Sequence, residues 1–207
     1  MKFEGKIVAI VQARIGSSRL PGKVLKLIQD RPMLWHIVNR LQFVDVIDEV
    51  LIATSDLQRD DEVYKMATNY GVGCYRGSET DVLNRFYGAA KMSSAQHVIR
   101  ITGDCPLVDP QTINKLIKLY FGGNYDFCGV ACGAGVAHVN HIKRYPDGID
   151  AEIFSFKVLT EANNEATNSL HREHVTPFVW QQEKRYKIGT LFSSSDYSHL
   201  RLTVDNE

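Results

Sequence analysis

A single rhythm governs the first 121 residues: a short apolar run, a polar or glycine-bearing turn, then a stretch with helical spacing, four times over. Residues 6–12 (KIVAIVQ) form a nearly continuous, β-branched run, which suits a strand buried on both faces of a parallel sheet. Residues 49–54, 73–76 and 97–102 read as further strands. The intervening helices are predicted over 32–41, 61–70, 81–92 and 111–121. In the first, Met33, Leu34, Ile37, Val38 and Leu41 recur at helical spacing. Pro32 fits its first turn, where the missing N–H costs nothing. Strands alternating with helices imply an α/β fold with parallel strands and right-handed crossovers.

After about Tyr125 the rhythm changes. Residues 126–137 are small and glycine-rich; 151–156, 186–192 and 200–204 read as strands, and 159–166 and 171–182 as helices. This half is expected to form an antiparallel or mixed appendage that returns to the main sheet. With no evident linker, 1–207 is expected to be a single domain, about 1–125 and about 126–207 being its two halves.

Lys+Arg and Asp+Glu both number 24, so the basic excess of a nucleic-acid-coating protein is missing and any anion must be met by local charge. Cys74, Cys105, Cys128 and Cys132 contain no CxxC pair, so reduced cysteines in a cytoplasmic protein are expected rather than a zinc site. No apolar run approaches the roughly 20 residues of a membrane span, and with a strand-like run starting at Lys6 no signal peptide is expected.

Local positive charge is found in ARIGSSRLPGK, residues 13–23. This loop leaves the end of the first strand, the position where open α/β sheets place ligands. Gly16 and Gly22 let backbone N–H groups approach an anion. Arg14, Arg19 and Lys23 supply three cations within ten residues, and Ser17 adds a hydroxyl. Arginine forks grip phosphate oxygens and lysine serves as a point charge, so the cradle suits a triphosphate. Neither GxxxxGK[ST] nor GxGxxG occurs here. The plain alternative is a solvated basic loop.

Carboxylates stand at other predicted strand ends. Asp104, in ITGDCPL, follows Gly103, and Asp205 ends LRLTVD. A magnesium ion commonly uses one or two carboxylates plus phosphate oxygens, so the pair suits such an ion if the fold brings them together. Each could equally be a turn-forming Asp. Asp147, Asp150 and Glu152, in RYPDGIDAE, are candidates for meeting sugar hydroxyls or a metal. His174, in HREH, is a further candidate; the order excludes the HExxH zinc-protease pattern, and a structural role is the commoner fate of a lone histidine. Ser78 reads as a helix N-cap with Asp81 three residues on, with a nucleotide contact as its secondary role.

Taken in order, VQARIGSSRLPGK, ATSD, RGSETDVLNRF, ITGDCPLVDP, YPDGIDAEIF, REHVTPF and SHLRLTVDNE resemble the spore-coat polysaccharide biosynthesis protein F family. That family is related to the cytidylyltransferases that activate Kdo and sialic-type acids. The resemblance spans nearly the whole chain. It implies a nucleotide-diphospho-sugar transferase-like sandwich, close in plan to the A-type glycosyltransferases, with a mixed, mainly parallel central sheet and helices on both faces. It also implies that Arg14, Ser17, Arg19 and Lys23 bind the CTP triphosphate, with Ala13 and Gly16 in the same motif, and that Asp104 and Asp205 bind Mg²⁺. Gln12 departs from the proline usual in the Kdo enzymes, as is typical of the spore-coat group, whose acceptor sugars are poorly defined.

The activity implied is cytidylyl transfer to a sugar or sugar acid with release of pyrophosphate, with Arg14, Lys23 and Asp104 central to catalysis. The resemblance also allows for a homodimer. A rival is a glycosyltransferase using a nucleotide sugar, although its metal-binding DxD is absent. Another is a catalytically silent nucleotide-sugar-binding protein of polysaccharide assembly.

Overall fold

The structure is a computed structural model that describes residues 3–17, 19–132 and 143–206. Strand β1 (Ile7–Gln12) is buried along almost its whole length, as its unbroken apolar run requires. A loop and a short hairpin of β2 (Leu27–Ile28) and β3 (Arg31–Pro32) lead into α1 (Met33–Leu41). The chain continues through β4 (Glu49–Ser55), α2 (Asp61–Asn69), β5 (Gly73–Gly77), α3 (Val82–Met92), β6 (His97–Thr102) and α4 (Pro110–Gly122). Then follow β7 (Phe127–Val130), β8 (Glu152–Ser155), α5 (Phe156–Glu165), α6 (Ser169–His174), α7 (Pro177–Trp180) and β9 (Ile188–Leu191).

Seven strands form one sheet in the order β5-β4-β1-β6-β8-β7-β9. β5, β4, β1 and β6 run parallel. β8 lies antiparallel between β6 and β7, and β7 pairs in parallel with β9. The sheet is thus mixed and mainly parallel, as expected. Alternation along β1 divides the core: Ile7, Ala9 and Val11 pack with α1, α2 and α4, while Val8 and Ile10 pack with α3, α5 and α7. Helices therefore cover both faces.

The chain departs from its sequence reading in four places, three of them in the second half. β7 lies within the small, glycine-rich tract to which no element was assigned, because Phe127, Cys128 and Val130 are apolar enough to fill a buried strand; the part of that tract beyond Cys132 is outside the described residues. Residues 200–204 do not form a strand, and their only strand-like pairing among the described residues is a bridge from Arg201 to Asp147. The alternation there is real, but the neighbour is a turn rather than a strand. The helix expected over 171–182 is two short ones, broken where Val175 takes a φ of 71°. Asp81, not Ser78, caps α3, its carboxylate accepting from the Asn84 N–H at 3.0 Å.

From β1 the chain first moves outward to β4 and β5, then returns to place β6 on the opposite side. The strand order therefore reverses between β1 and β6, and in such sheets ligands bind outside the carboxyl ends at that point. Gln12 and Thr102 pair there.

Candidate functional site

The loop after β1 is pinned before it can bind anything. Ala13 donates its N–H to the Ala53 carbonyl (3.1 Å), and Ile15 donates to the buried Asp60 carboxylate (2.7 Å). Gly22, at a φ of 71°, donates to the Ile15 carbonyl (3.0 Å), closing the loop, and buried Leu20 and Val24 anchor it. The left-handed φ explains the glycine there.

Lys23 begins the next turn and is only 8% exposed. Burial of an ammonium requires partners. Its Nζ lies 2.9 Å from Asp205 Oδ1, 2.9 Å from the Val204 carbonyl oxygen and 3.3 Å from Asp104 Oδ2. Three segments distant in sequence therefore meet on one cation. Val204 also donates its N–H to the Asp104 carbonyl (2.9 Å). Arg19 and Arg201 bring further charge to Asp205, at 3.0 and 2.5 Å. Burial acts to raise the pKa of that carboxyl, but hydrogen bonds from Lys23 and Arg201 prevail and hold it below the usual range. Gly103 is required by the close approach of β1 and the β6 turn: a Cβ there would stand 2.6 Å from the Gln12 carbonyl oxygen.

Three adjoining hollows share these walls. The first, about 310 Å³, is lined by Gln12, Arg14, Ser17, Arg19, Lys23 and Asp104, with Ala13 and Gly16 in its floor. The second, about 160 Å³, opens beside it between Gln12, Arg14, Arg85, Glu173 and His174. The Arg85 guanidinium is buried and its Nε has no hydrogen-bond partner among the described residues, while its Nη1 donates to the Ser78 carbonyl at 2.5 Å. Burial, with Arg14 adding to the effect, pushes the Arg85 pKa down to about 10. The third hollow, about 290 Å³, lies across Asp104 and Arg19 from the first and is walled by Asp147, Asp150, Glu152, Arg100 and Arg201.

The residues singled out in the sequence thus fall into place unevenly. Ala13, Arg14, Gly16, Ser17, Arg19, Lys23 and Asp104 gather in one cleft, and Asp205 joins Asp104 across Lys23. Asp147, Asp150 and Glu152 share the third hollow with Asp104 and Asp205. His174 does not join them; it lines the small hollow on the other side of the loop. Ser78 holds structure, its hydroxyl accepting from the Asp81 N–H at 3.0 Å. Arg100 and Arg201 escaped sequence reading. Arg100 is the one charged residue in the apolar run of β6, and its charge within that run was the available signal.

Among the described residues, no group of three or more His, Cys, Asp or Glu side chains is arranged to hold a metal by itself. Asp104 and Asp205, sharing one cation, fit the different pattern in which carboxylates supply part of a divalent ion's shell and phosphate oxygens the rest.

A family model described as Cytidylyltransferase matches residues 8–204. The chain belongs to the cytidylyltransferase family. It is 30% identical to the spore coat polysaccharide biosynthesis protein SpsF of Bacillus subtilis, over 97% of this chain and 82% of that one. A cytidylyltransferase structure from Leptospira borgpetersenii superposes with a TM-score of 0.87 at 30% identity, covering 97% of this chain and 81% of that chain. A CMP:2-keto-3-deoxy-manno-octonic acid synthetase solved with CTP shares the fold with a TM-score of 0.71 at 19% identity, covering 97% of this chain and 93% of that chain. The fold is accordingly of the nucleotide-diphospho-sugar transferase type, and the family is one of nucleotidyltransferases.

Proposed function

We propose that the protein transfers a cytidylyl group from CTP to a hydroxyl of a sugar, releasing pyrophosphate, to supply an activated sugar for polysaccharide assembly in the cytoplasm. The observation that carries this reading is the meeting of Lys23, Asp104 and Asp205 at the boundary between two hollows, one basic and one rich in hydrogen-bonding groups. The triphosphate lies in the cleft of Arg14, Ser17, Arg19 and Lys23. Its base enters the small hollow beside Arg85, whose volume of about 160 Å³ resembles the roughly 150 Å³ that holds a benzene ring. The acceptor occupies the third hollow.

Asp104 and Asp205 would hold the divalent ion, magnesium by resemblance. When bound it polarises the phosphate oxygens and neutralises charge. This chain's own residues orient the reactants and offset charge, which is most of what phosphoryl chemistry demands. The acceptor hydroxyl oxygen forms a bond to the α-phosphorus, the bond from that phosphorus to the β-bridging oxygen breaks, and pyrophosphate leaves with the electron pair. The hydroxyl proton departs to solvent. Arg14, Arg19 and Lys23 stabilise the leaving pyrophosphate through charge-assisted contacts. Lys23 would turn from Asp104 and Asp205 to phosphate oxygens when substrate enters, leaving the two carboxylates to hold the divalent ion.

Pyrophosphate release measured across CTP, UTP, ATP and GTP, with a panel of sugars, sugar phosphates and sugar acids, tests the reading. CTP with Mg²⁺ is expected to bind in calorimetry and to support turnover. Failure to bind any triphosphate sinks it. Glycosyl transfer from a nucleotide sugar is disfavoured by the lack of a DxD and by the family the chain belongs to.

A further inference from the structure

The small hollow beside the loop after β1 is walled by two helices held together. Val82 and Arg85 of α3 line one side, and Glu173 and His174 of α6 line the other. Arg172 clamps the two: its Nε and Nη2 donate to the carboxylate oxygens of Asp81, the cap of α3, at 2.9 and 2.6 Å. Its Nη1 donates to the Asn163 carbonyl at 2.7 Å, tying α5 to the same point. Ala13 and Val82, each 4% exposed, offer apolar surface to a ring.

Arg85 enters this hollow with its bonding incomplete. It is 1% exposed. Among the described residues, both hydrogen bonds of its guanidinium leave from Nη1, to the carbonyls of Ser78 at 2.5 Å and Glu79 at 3.2 Å. Nε is buried and has no hydrogen-bond partner among them. The edge formed by Nε and Nη2, which presents two parallel N–H groups, is therefore unused. A buried donor left unpaired is costly, and an acceptor on a ligand removes that cost. The position of this edge is set by its surroundings. The Arg85 N–H donates to the Asp81 carbonyl at 3.1 Å in the first turn of α3. Gly77 leaves room for the side chain, since a Cβ there would stand 3.3 Å from the Arg85 Cγ.

Arginine donates and never accepts. Cytosine offers such a fork two adjacent acceptors, O2 and N3. Uracil offers O2 but sets its own N3–H against the second donor. We propose that Arg85 selects the base, its Nε–Nη2 edge donating to O2 and N3 of cytosine and rejecting uracil at N3. The inference rests on the proposed cytidylyl transfer for placing a pyrimidine in this hollow, and it names the residue that makes the choice.

Calorimetry in the presence of Mg²⁺ tests this by affinity alone. The probes are CTP, UTP and 3-deazacytidine triphosphate, which keeps O2 and the amino group but carries C–H in place of N3. For the wild-type protein, UTP and the deaza analogue are each expected to bind at least about tenfold more weakly than CTP. Arg85→Met removes the donors, and is expected to weaken CTP and bring the three nucleotides to nearly equal affinity. Arg85→Lys keeps a cation for the Ser78 and Glu79 carbonyls but loses the fork. It is expected to narrow the preference in the same direction, and it carries the comparison if Arg85→Met does not fold. Equal binding of CTP and the deaza analogue by the wild type overturns the proposal. So does a preference that persists undiminished in a folded variant, even with all three affinities lowered, because Arg85 would then only hold the Ser78–Glu79 turn. Absence of binding by every triphosphate instead sinks the cytidylyl-transfer reading, and this proposal with it.

Discussion

Lys23 shows how one side chain joins binding to stability. It is held by two carboxylates and a carbonyl, so its removal leaves two acids facing each other at the site. Lys23→Ala is expected to weaken CTP binding by tenfold or more, in keeping with about 1.5–3 kcal/mol for a hydrogen bond to a charged group, and to change CMP binding by much less. Calorimetry with both nucleotides checks this; equal losses would mean that Lys23 does not reach the β and γ phosphates. The same substitution is expected to destabilise the nucleotide-free protein in a pH-dependent manner. Asp205 is held below its ordinary pKa of about 3.9 in the folded state. The stabilisation from its cations is therefore fully present above that ordinary value and is lost as pH falls through the lower folded one. Urea unfolding should show a stability gap between wild type and variant at pH 7 that narrows at pH 3.5. At this scale the loop was legible in the sequence because its charges and glycines are contiguous. The partnership of Lys23 with Asp205, 182 residues away, was not, since only the closed fold brings them together.

Among the elements, β1 and β4 could be read because burial leaves a nearly unbroken apolar run, and the helices of the first half because one stripe meets the sheet. The second half hides its elements for identifiable reasons. β7 is four residues long inside a tract of small residues, and the alternation of 200–204 arises against a turn. The break between α6 and α7 depends on Val175, a β-branched residue at positive φ, which no propensity scale favours. That break has a purpose visible in its neighbour. Thr176, next in the chain, is buried and turns its hydroxyl to both oxygens of Glu152, which in turn holds Arg100. Thr176→Val keeps the shape and deletes the donor, leaving a buried carboxylate short of a hydrogen bond. It is expected to cost about 1–3 kcal/mol in urea unfolding. It is also expected to raise the KM for the acceptor while leaving CTP affinity intact, because Glu152 and Arg100 wall the third hollow and only adjoin the first. A loss of CTP binding equal to the loss of acceptor binding would place Thr176 in global stability alone.

For the whole molecule, the site acts as a clasp. The loop after β1, the turn after β6 and the residues around 204 come from the beginning, middle and end of the described chain, and they meet at the reversal point of the sheet. On the proposed function, a nucleotide seated there would contact at least two of these segments, and a divalent ion held by Asp104 and Asp205 would join the third. Unfolding either half of the sheet must then release the ligand. By mass action, a ligand at 100 times its Kd adds about 2.7 kcal/mol to the folded state. For a chain of this size each kcal/mol moves the midpoint by about 2–4 °C, so CTP with Mg²⁺ is expected to raise Tm on the order of 5–10 °C. CTP without a divalent ion should give a smaller shift, because the residues near 204 then meet the nucleotide chiefly through Lys23 and Arg19. Asp205→Asn should bring the shift with metal down towards the metal-free one while leaving the metal-free shift nearly unchanged. Differential scanning calorimetry on both proteins, with and without Mg²⁺, measures all four values. A metal-dependent increment that survives in Asp205→Asn would mean that the third segment closes on the nucleotide without the ion, and that the clasp is made by Lys23 rather than by the two carboxylates.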